Sequence, residues 1–422
     1  MMNMKAKLAL LGGIPVRSND FPPYNTISET EIKAAVDVLE TGMLSGFVAN
    51  PGPDFLGGKW VLELENAFCE KFGCKYAVSV NSATSGLHAA LAAAGVGPND
   101  EVIVSPYSMS ASATSVVMCG AKPVFVDIEE DTFCLDVEQV AARITPNTKA
   151  IMAVNIFGQS ADLTPLRKIA DLHSIALIED NAQAPAAQYN GKWTGTIGDM
   201  GIFSLNRHKT MQCGEGGVII TNDERLAHRL RMVRNHGEAV LPEWEDDTLR
   251  NGNEDIIGYN YRLTELQASI AKPQLLRLEE LNQSRVDLAN YLTGKLKDFN
   301  FLKAPVIRDN STHVYYLYPM IYSPEKLGLS RDVFIDAMKA EGMPVSNYCR
   351  PLYRLPLYTN KFGSLDNYNI ENFPNVERCW QEAMIVTPIC RPPLDTSHID
   401  EFILAIEKIE KHSSELRNLG KI

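Results

Sequence analysis

From about residue 76 to 221 the chain alternates short apolar runs with longer segments of helical periodicity. The runs fall at 76–80, 101–105, 123–127, 150–154, 176–178, 201–204 and 217–221. They lack the polar–apolar alternation of a strand with one wet face, so they predict strands covered on both sides. Helical spacing occupies 85–94, 109–119 and 163–173, and a further helix is expected after Asp223. Strands separated by helices predict a parallel or mixed sheet, here seven-stranded and mostly parallel, with helices on both faces. Ligands of such sheets bind beyond the carboxyl ends of the strands.

Upstream, Ser28 introduces a helix at 29–41, and a second at 61–72 leads into the first strand. Between them, 42–58 is rich in Gly and Pro, including Asn50-Pro51-Gly52-Pro53, and reads as an ordered loop or a flap. Downstream, Arg234-Asn235-His236-Gly237 and an acidic loop, Glu243-Trp244-Glu245-Asp246-Asp247, precede one long helix at 264–296. Patterns at 314–322, 332–341 and 399–412 give the rest α+β character. The expected organisation is a large α/β domain over 26–275 and a smaller C-terminal α+β domain over 276–422. Residues 1–25 are expected to pack with the smaller domain or a dimer partner.

Composition narrows the function classes. The 422 residues are 45% hydrophobic and 22% charged, as in a globular protein with a sizeable core. A net charge of -12 argues against nucleic acid and anionic membrane as partners. No apolar run approaches the ~18 residues of a membrane span. The stretch Leu8-Ala9-Leu10-Leu11 is too short for a secretory core, so a cytoplasmic location is expected. The eight cysteines form no Cys-x-x-Cys pair and none lies beside a His at ligand spacing, so no metal site is expected. Cys213 reads as a small apolar filler.

Three local patterns carry chemistry. Lys209 sits in Ser204-Leu205-Asn206-Arg207-His208-Lys209, followed by Gly214-Glu215-Gly216-Gly217, between two strand-like runs. A lysine held there is poorly solvated, and burial favours the free amine, a nucleophile toward carbonyls. Alone, the pattern favours a surface lysine on a hairpin, and the rest of the chain reverses that. The first strand runs into Asn81-Ser82-Ala83-Thr84-Ser85-Gly86-Leu87, where a helix start offers N–H groups to a phosphate or is simply N-capped. Another strand ends at Glu179-Asp180-Asn181-Ala182-Gln183-Ala184, where Asp180 either holds a protonated pyridine nitrogen or caps a helix. Phosphate cradle, acid and lysine in this order are the three parts that pyridoxal 5'-phosphate requires.

With those residues in view, the chain resembles the DegT/StrS-type sugar aminotransferases, fold type I pyridoxal-phosphate enzymes of the aspartate aminotransferase superfamily. The resemblance spans nearly the whole chain. It runs through Leu44-Ser45-Gly46, Gly97-Pro98-Asn99-Asp100-Glu101-Val102-Ile103 and Gly120-Ala121-Lys122-Pro123-Val124-Phe125-Val126-Asp127. It continues at Glu179-Asp180-Asn181-Ala182-Gln183-Ala184, the Lys209 block, and Gly258-Tyr259-Asn260-Tyr261-Arg262-Leu263-Thr264-Glu265.

The resemblance implies an aminotransferase that moves an amino group from glutamate or glutamine to a keto-sugar or keto-cyclitol, with pyridoxamine phosphate as intermediate. Position by position, Lys209 matches the lysine that bonds the cofactor aldehyde, and Asp180 matches the partner of the pyridine nitrogen. Gln183 matches the glutamine near the ring, and Ala83, Thr84 and Ser204 match phosphate-binding positions. Asn260 matches an asparagine that reaches the phosphate of the neighbouring subunit, which implies a homodimer with shared sites.

Three positions depart from the family pattern. Met109 stands where an aromatic residue stacks on the cofactor; a thioether can cover a ring face or serve as core filler. Asn155 and Tyr353 replace two histidines, which bears on the substrate pocket. Members that dehydrate carry histidine in place of the lysine; Lys209 is present here. His208 is expected, by strand alternation, to point elsewhere. Other readings are a pyridoxal-phosphate enzyme of different reaction type and a non-catalytic sensor or scaffold.

Overall fold

A computed structural model describes residues 7–49, 53–237, 256–362 and 368–417. The acidic loop 243–247 and residues 50–52 of the Gly/Pro-rich stretch lie outside the described residues. All seven apolar runs form strands: β1 Tyr76–Val80, β2 Glu101–Val104, β3 Lys122–Phe125, β4 Thr148–Val154, β5 Ala176–Asp180, β6 Met200–Ser204 and β7 Gly217–Thr221. They make one sheet in the order β1-β7-β6-β5-β4-β2-β3. β2, β3, β4, β5 and β6 pair in parallel, and β7 runs antiparallel to both β6 and β1. The strands are buried almost throughout, which is why they read as unalternating apolar runs.

The flanking helices follow from local signals. In α1, Glu29–Thr41, Ser28 and Glu31 form a reciprocal capping box, and Gly42 ends the helix in the left-handed region. α2 is Lys59–Phe72, α3 Ala83–Ala93, α4 Ser110–Met118, α5 Val137–Ala142, α6 Leu163–His173 and α7 Glu224–Arg234. Asp223 caps α7 by accepting the N–H of Leu226 at 2.9 Å.

The expected single helix over 264–296 is two helices, α8 Glu265–Leu276 and α9 Leu278–Leu296, broken at Arg277. Pro273 within α8 has no N–H to give to the ladder. The Arg277 guanidinium is then held by the Thr26 carbonyl at 2.7 Å and Glu31 at 2.9 Å, which fixes the bend against α1.

Beyond α9 a three-stranded antiparallel sheet combines Leu302–Lys303, Tyr318–Tyr322 and Met384–Thr387. Leu8 and Val16 from the start of the chain join Leu288, Leu292, Tyr318, Phe334, Phe402 and Ile406 in a second core. Tyr353, Tyr358 and Phe373 pack instead against the core of the large sheet. Among the described residues no helix is long and apolar enough to cross a membrane.

Candidate active site

The site is built at the carboxyl ends of β1, β5 and β6. After β1 the chain enters α3 through Ser82, whose extended backbone and Oγ, accepting the Ser85 N–H at 3.0 Å, cap the helix. The helix thus starts at Ala83, two residues before the pattern predicts, because the small polar residues belong to its first turn. Ala83 and Thr84 occupy that turn, where N–H groups have no intrahelical acceptor and the helix end carries partial positive charge. β7 passes so close that a Cβ on Gly217 would lie 2.8 Å from Ala83 N and Ser82 C. Glycine is therefore what lets the strand and the helix start meet.

β5 ends at Asp180. No helix follows it, so its carboxylate is not a helix cap. Instead Oδ2 accepts from Ser112 Oγ of α4 at 2.7 Å, and Oδ1 accepts from Ala182 N at 3.2 Å. Burial pushes the Asp180 carboxyl up; the Ser112 and Ala182 hydrogen bonds and the charge of Lys209 oppose this.

β6 runs into the Lys209 loop. Hydrogen bonds from Leu205 N to Gly216 O and Arg207 N to Gly214 O, both 2.9 Å, tie the two arms of this loop together. The Tyr24 hydroxyl donates to Lys209 O at 2.9 Å and Thr210 O at 3.1 Å, fixing the backbone at the lysine. Lys209 Nζ lies 4.3 Å from the centre of the Tyr316 ring. Burial pulls the amine down from 10.5 to about 8, against the opposing pull of Asp180.

These elements enclose a cavity of ≈ 260 Å³. Lys209, Asp180, Gln183, Ala83, Thr84, Ser204 and Met109 all line it. Gln183 is held on both sides: its Oε1 accepts from Phe157 N at 2.8 Å and its Nε2 donates to the Tyr348 hydroxyl at 3.2 Å. Met109 precedes α4 and is 61% exposed, a large thioether side chain on an open cavity wall. Asn260 is the one predicted site residue that does not line this cavity. It is exposed, and its Oδ1 accepts from Arg262 Nε at 2.9 Å.

Three expectations are corrected. His208 does line the cavity, beside Lys209. Residues 205–216 form a loop, not a strand, so two-residue alternation does not separate neighbouring side chains. Asn155 does not line it; its amide bonds Glu179 at 3.2 Å, Asn181 at 3.0 Å and Ala161 N at 2.9 Å behind the sheet end. Tyr353 is likewise buried away from the cavity, bonded to Glu377 at 2.6 Å and stacked on Phe373. The two departures from histidine therefore support structure around the site and do not shape its wall.

Cys213 is buried with its thiol 3.3 Å from Glu215 O, and burial pushes that thiol up, as a filler requires.

Sequence reading missed four residues. Ser112 lies within the serine-rich start of α4, and that richness was its only signal. Tyr316, Tyr348 and Cys349 come from the C-terminal part and line the cavity too. No local pattern marks them.

The residues fit pyridoxal 5'-phosphate on the structure's own terms. One cavity offers an enclosed amine of lowered pKa, a buried carboxylate held for an ionic partner, and a helix start approached through Gly217 for an anion.

The comparisons agree with that chemistry. Residues 27–407 match the model of the DegT/DnrJ/EryC1/StrS aminotransferase family. GDP-perosamine synthase of Caulobacter vibrioides is 38% identical over 304 residues, covering 72% of this chain and 80% of that protein. Spore coat polysaccharide biosynthesis protein SpsC of Bacillus subtilis is 32% identical over 400 residues, covering 94% of this chain and 98% of that protein. The X-ray structure of an aminotransferase from Psychrobacter cryohalolentis superposes with a TM-score of 0.82 at 28% identity, covering 93% of this chain and all of that one. Sheet order, cavity and family match converge: the chain belongs to the DegT/DnrJ/EryC1/StrS aminotransferase family and is a pyridoxal-phosphate-dependent aminotransferase.

Proposed function

We propose that this aminotransferase moves an amino group from glutamate or glutamine to the carbonyl of a nucleotide-linked keto-sugar or a keto-cyclitol, in amino-sugar or natural-product biosynthesis. The observation that carries the reading is that Lys209, Asp180 and the start of α3 line one cavity. When bound, the cofactor supplies an electron sink for the donor's α-carbon and carries the amino group between the two half-reactions.

The chain's own residues do the rest. Lys209 holds the cofactor between turnovers through its amine. Its free amine would move a proton on and off the reacting carbon, and burial, which pulls that amine down to about 8, suits it to both taking and giving one. Asp180 keeps a positive charge on the ring nitrogen by a charge-assisted hydrogen bond. Ser112 and Ala182 orient that carboxylate. Gln183, braced by Phe157 and Tyr348, would hold the ring oxygen, and Met109 would cover the ring. Ala83, Thr84 and Ser204 bind the phosphate.

Asn260 is exposed outside this chain's own cavity, which supports its supply to the neighbouring site of a homodimer. The reading also takes 26–275 as the cofactor domain, 276–422 as the smaller one, and the cytoplasm as the location. The names of GDP-perosamine synthase and of the spore coat polysaccharide protein support a sugar-derived acceptor.

The test is a half-reaction. Mixing cofactor-loaded protein with glutamate is expected to release one 2-oxoglutarate per site. A panel of nucleotide-linked keto-sugars and free keto-cyclitols then identifies the acceptor. Consumption of a keto-sugar with loss of water and no release of keto acid would defeat the proposal in favour of dehydration.

A further inference from the structure

A second cavity, of ≈ 590 Å³, shares no lining residue with the one that holds Lys209. Its size is that of a small-molecule pocket. One wall is a face of α9, where Asn282, Gln283, Val286 and Asn290 recur at helical spacing. Residues 311–315 line it too, as do Trp193 and Ile307.

Two polar side chains of this lining are more than nine-tenths buried, and each keeps an unused hydrogen-bonding group. His313 is 4% exposed. Its Nδ1 accepts from Tyr315 N at 2.9 Å, which puts the proton of the neutral ring on Nε2. Burial pulls the imidazole down to about 3, so the ring is neutral at physiological pH. Among the described residues the Nε2–H meets no acceptor. Asn282 is 6% exposed. Its Nδ2 donates to Pro185 O at 2.9 Å, which leaves Oδ1 a buried acceptor without a partner.

Buried polar groups are costly to leave unpaired, and a native fold normally gives each one a partner. The chemistry of the wall says what kind of partner. Among the described residues of the lining Glu279 alone is charged, and it is paired with Lys71. A charged ligand would therefore enter without a counter-ion. A hydroxyl group both gives and takes a hydrogen bond, so it matches a donor and an acceptor set in an uncharged wall. The amides of Gln283 and Asn290 have the same double capacity. The half-buried Trp193 and the exposed Ile307 add apolar surface of the kind that packs against the C–H groups of a sugar ring.

We propose that this cavity is a second binding site, separate from the catalytic one, for a neutral sugar unit, with His313 Nε2–H and Asn282 Oδ1 each bonding a hydroxyl group. It takes no part in amino transfer, so it stands or falls independently of the reading given above.

The experiment titrates full-length, cofactor-loaded protein with glucose, galactose, mannose and N-acetylglucosamine, read by calorimetry and ligand-observed NMR, with glucose 6-phosphate as the charged control. At least one neutral sugar is expected to bind saturably, and the control at least about tenfold more weakly. Asn282→Leu, which removes the acceptor, raises the sugar Kd at least about tenfold. Gln283→Ala, at an exposed position on the same helix face, raises it at least about threefold and decides the matter if the leucine variant folds poorly. Both variants keep the wild-type rate of the donor half-reaction. If no neutral sugar saturates, the cavity holds water alone and the proposal is overturned. Tighter binding of glucose 6-phosphate overturns it too. So does sugar binding that neither variant changes, which would move the sugar to the Lys209 cavity.

Discussion

Lys209 offers a quantitative prediction. Burial takes its amine from 10.5 to about 8, a fall of about 2.5 pH units. At pH 7 about a tenth of cofactor-free molecules then carry the free amine, against about one in three thousand for an ordinary lysine, a roughly 300-fold gain in nucleophile. Asp180 works in the opposite sense, since its negative charge favours the ammonium form. Asp180→Asn therefore lowers the amine further and raises the free fraction at pH 7 above a tenth. The assay is the rate of labelling of Lys209 by an amine-reactive reagent between pH 6 and pH 11, read by mass spectrometry of its peptide in cofactor-free protein. Wild type is expected to show a midpoint near 8 and Asp180→Asn a lower one. A wild-type midpoint near 10.5, or a variant midpoint above that of wild type, would refute the reasoning.

Other consequences follow from the same geometry. Gly217→Ala sets a methyl 2.8 Å from backbone atoms of Ser82 and Ala83, so the start of α3 must move. Overpacking of this kind costs about 1–3 kcal/mol, and cofactor affinity measured by titration should fall about tenfold or more. Ser112→Ala removes a hydrogen bond that favours the ionised form of Asp180, whose carboxyl burial already pushes up. As an ionised Asp180 is needed to hold the ring, cofactor binding on acidification is expected to be lost at a higher pH than in wild type. Glu65→Gln strips the carboxylate from Arg234, which is 0% exposed and 2.6 Å from it. Leaving that cation buried and unpaired should cost about 3–5 kcal/mol, read as a lower denaturant midpoint.

The central sheet was legible because strands buried on both faces must be apolar at consecutive positions, as in Val102-Ile103-Val104 and Val218-Ile219-Ile220. Helix starts were legible where a side chain caps them, as at Ser28 and Asp223. The break at Arg277 was not, since helical spacing continues on both sides and the bend depends on contacts with Thr26 and Glu31 far away in sequence.

The site divides in the same way. Lys209, Asp180 and the α3 start lie at strand ends, where the topology delivers side chains to a ligand. Tyr316 and Tyr348 reach the cavity from the C-terminal part, and only tertiary packing brings them there. Asn155 and Tyr353 show the opposite failing. They occupy family positions of interest, yet their partners Glu179 and Glu377 turn them into buried networks.

The most direct measurement is to load the protein with pyridoxal 5'-phosphate, reduce it with borohydride, digest it and locate the added mass. A single tagged residue, Lys209, is expected, with the tag and the coloured band both gone in Lys209→Ala. A tag on another lysine, or an unmodified Lys209 peptide from protein that is visibly loaded, would contradict it.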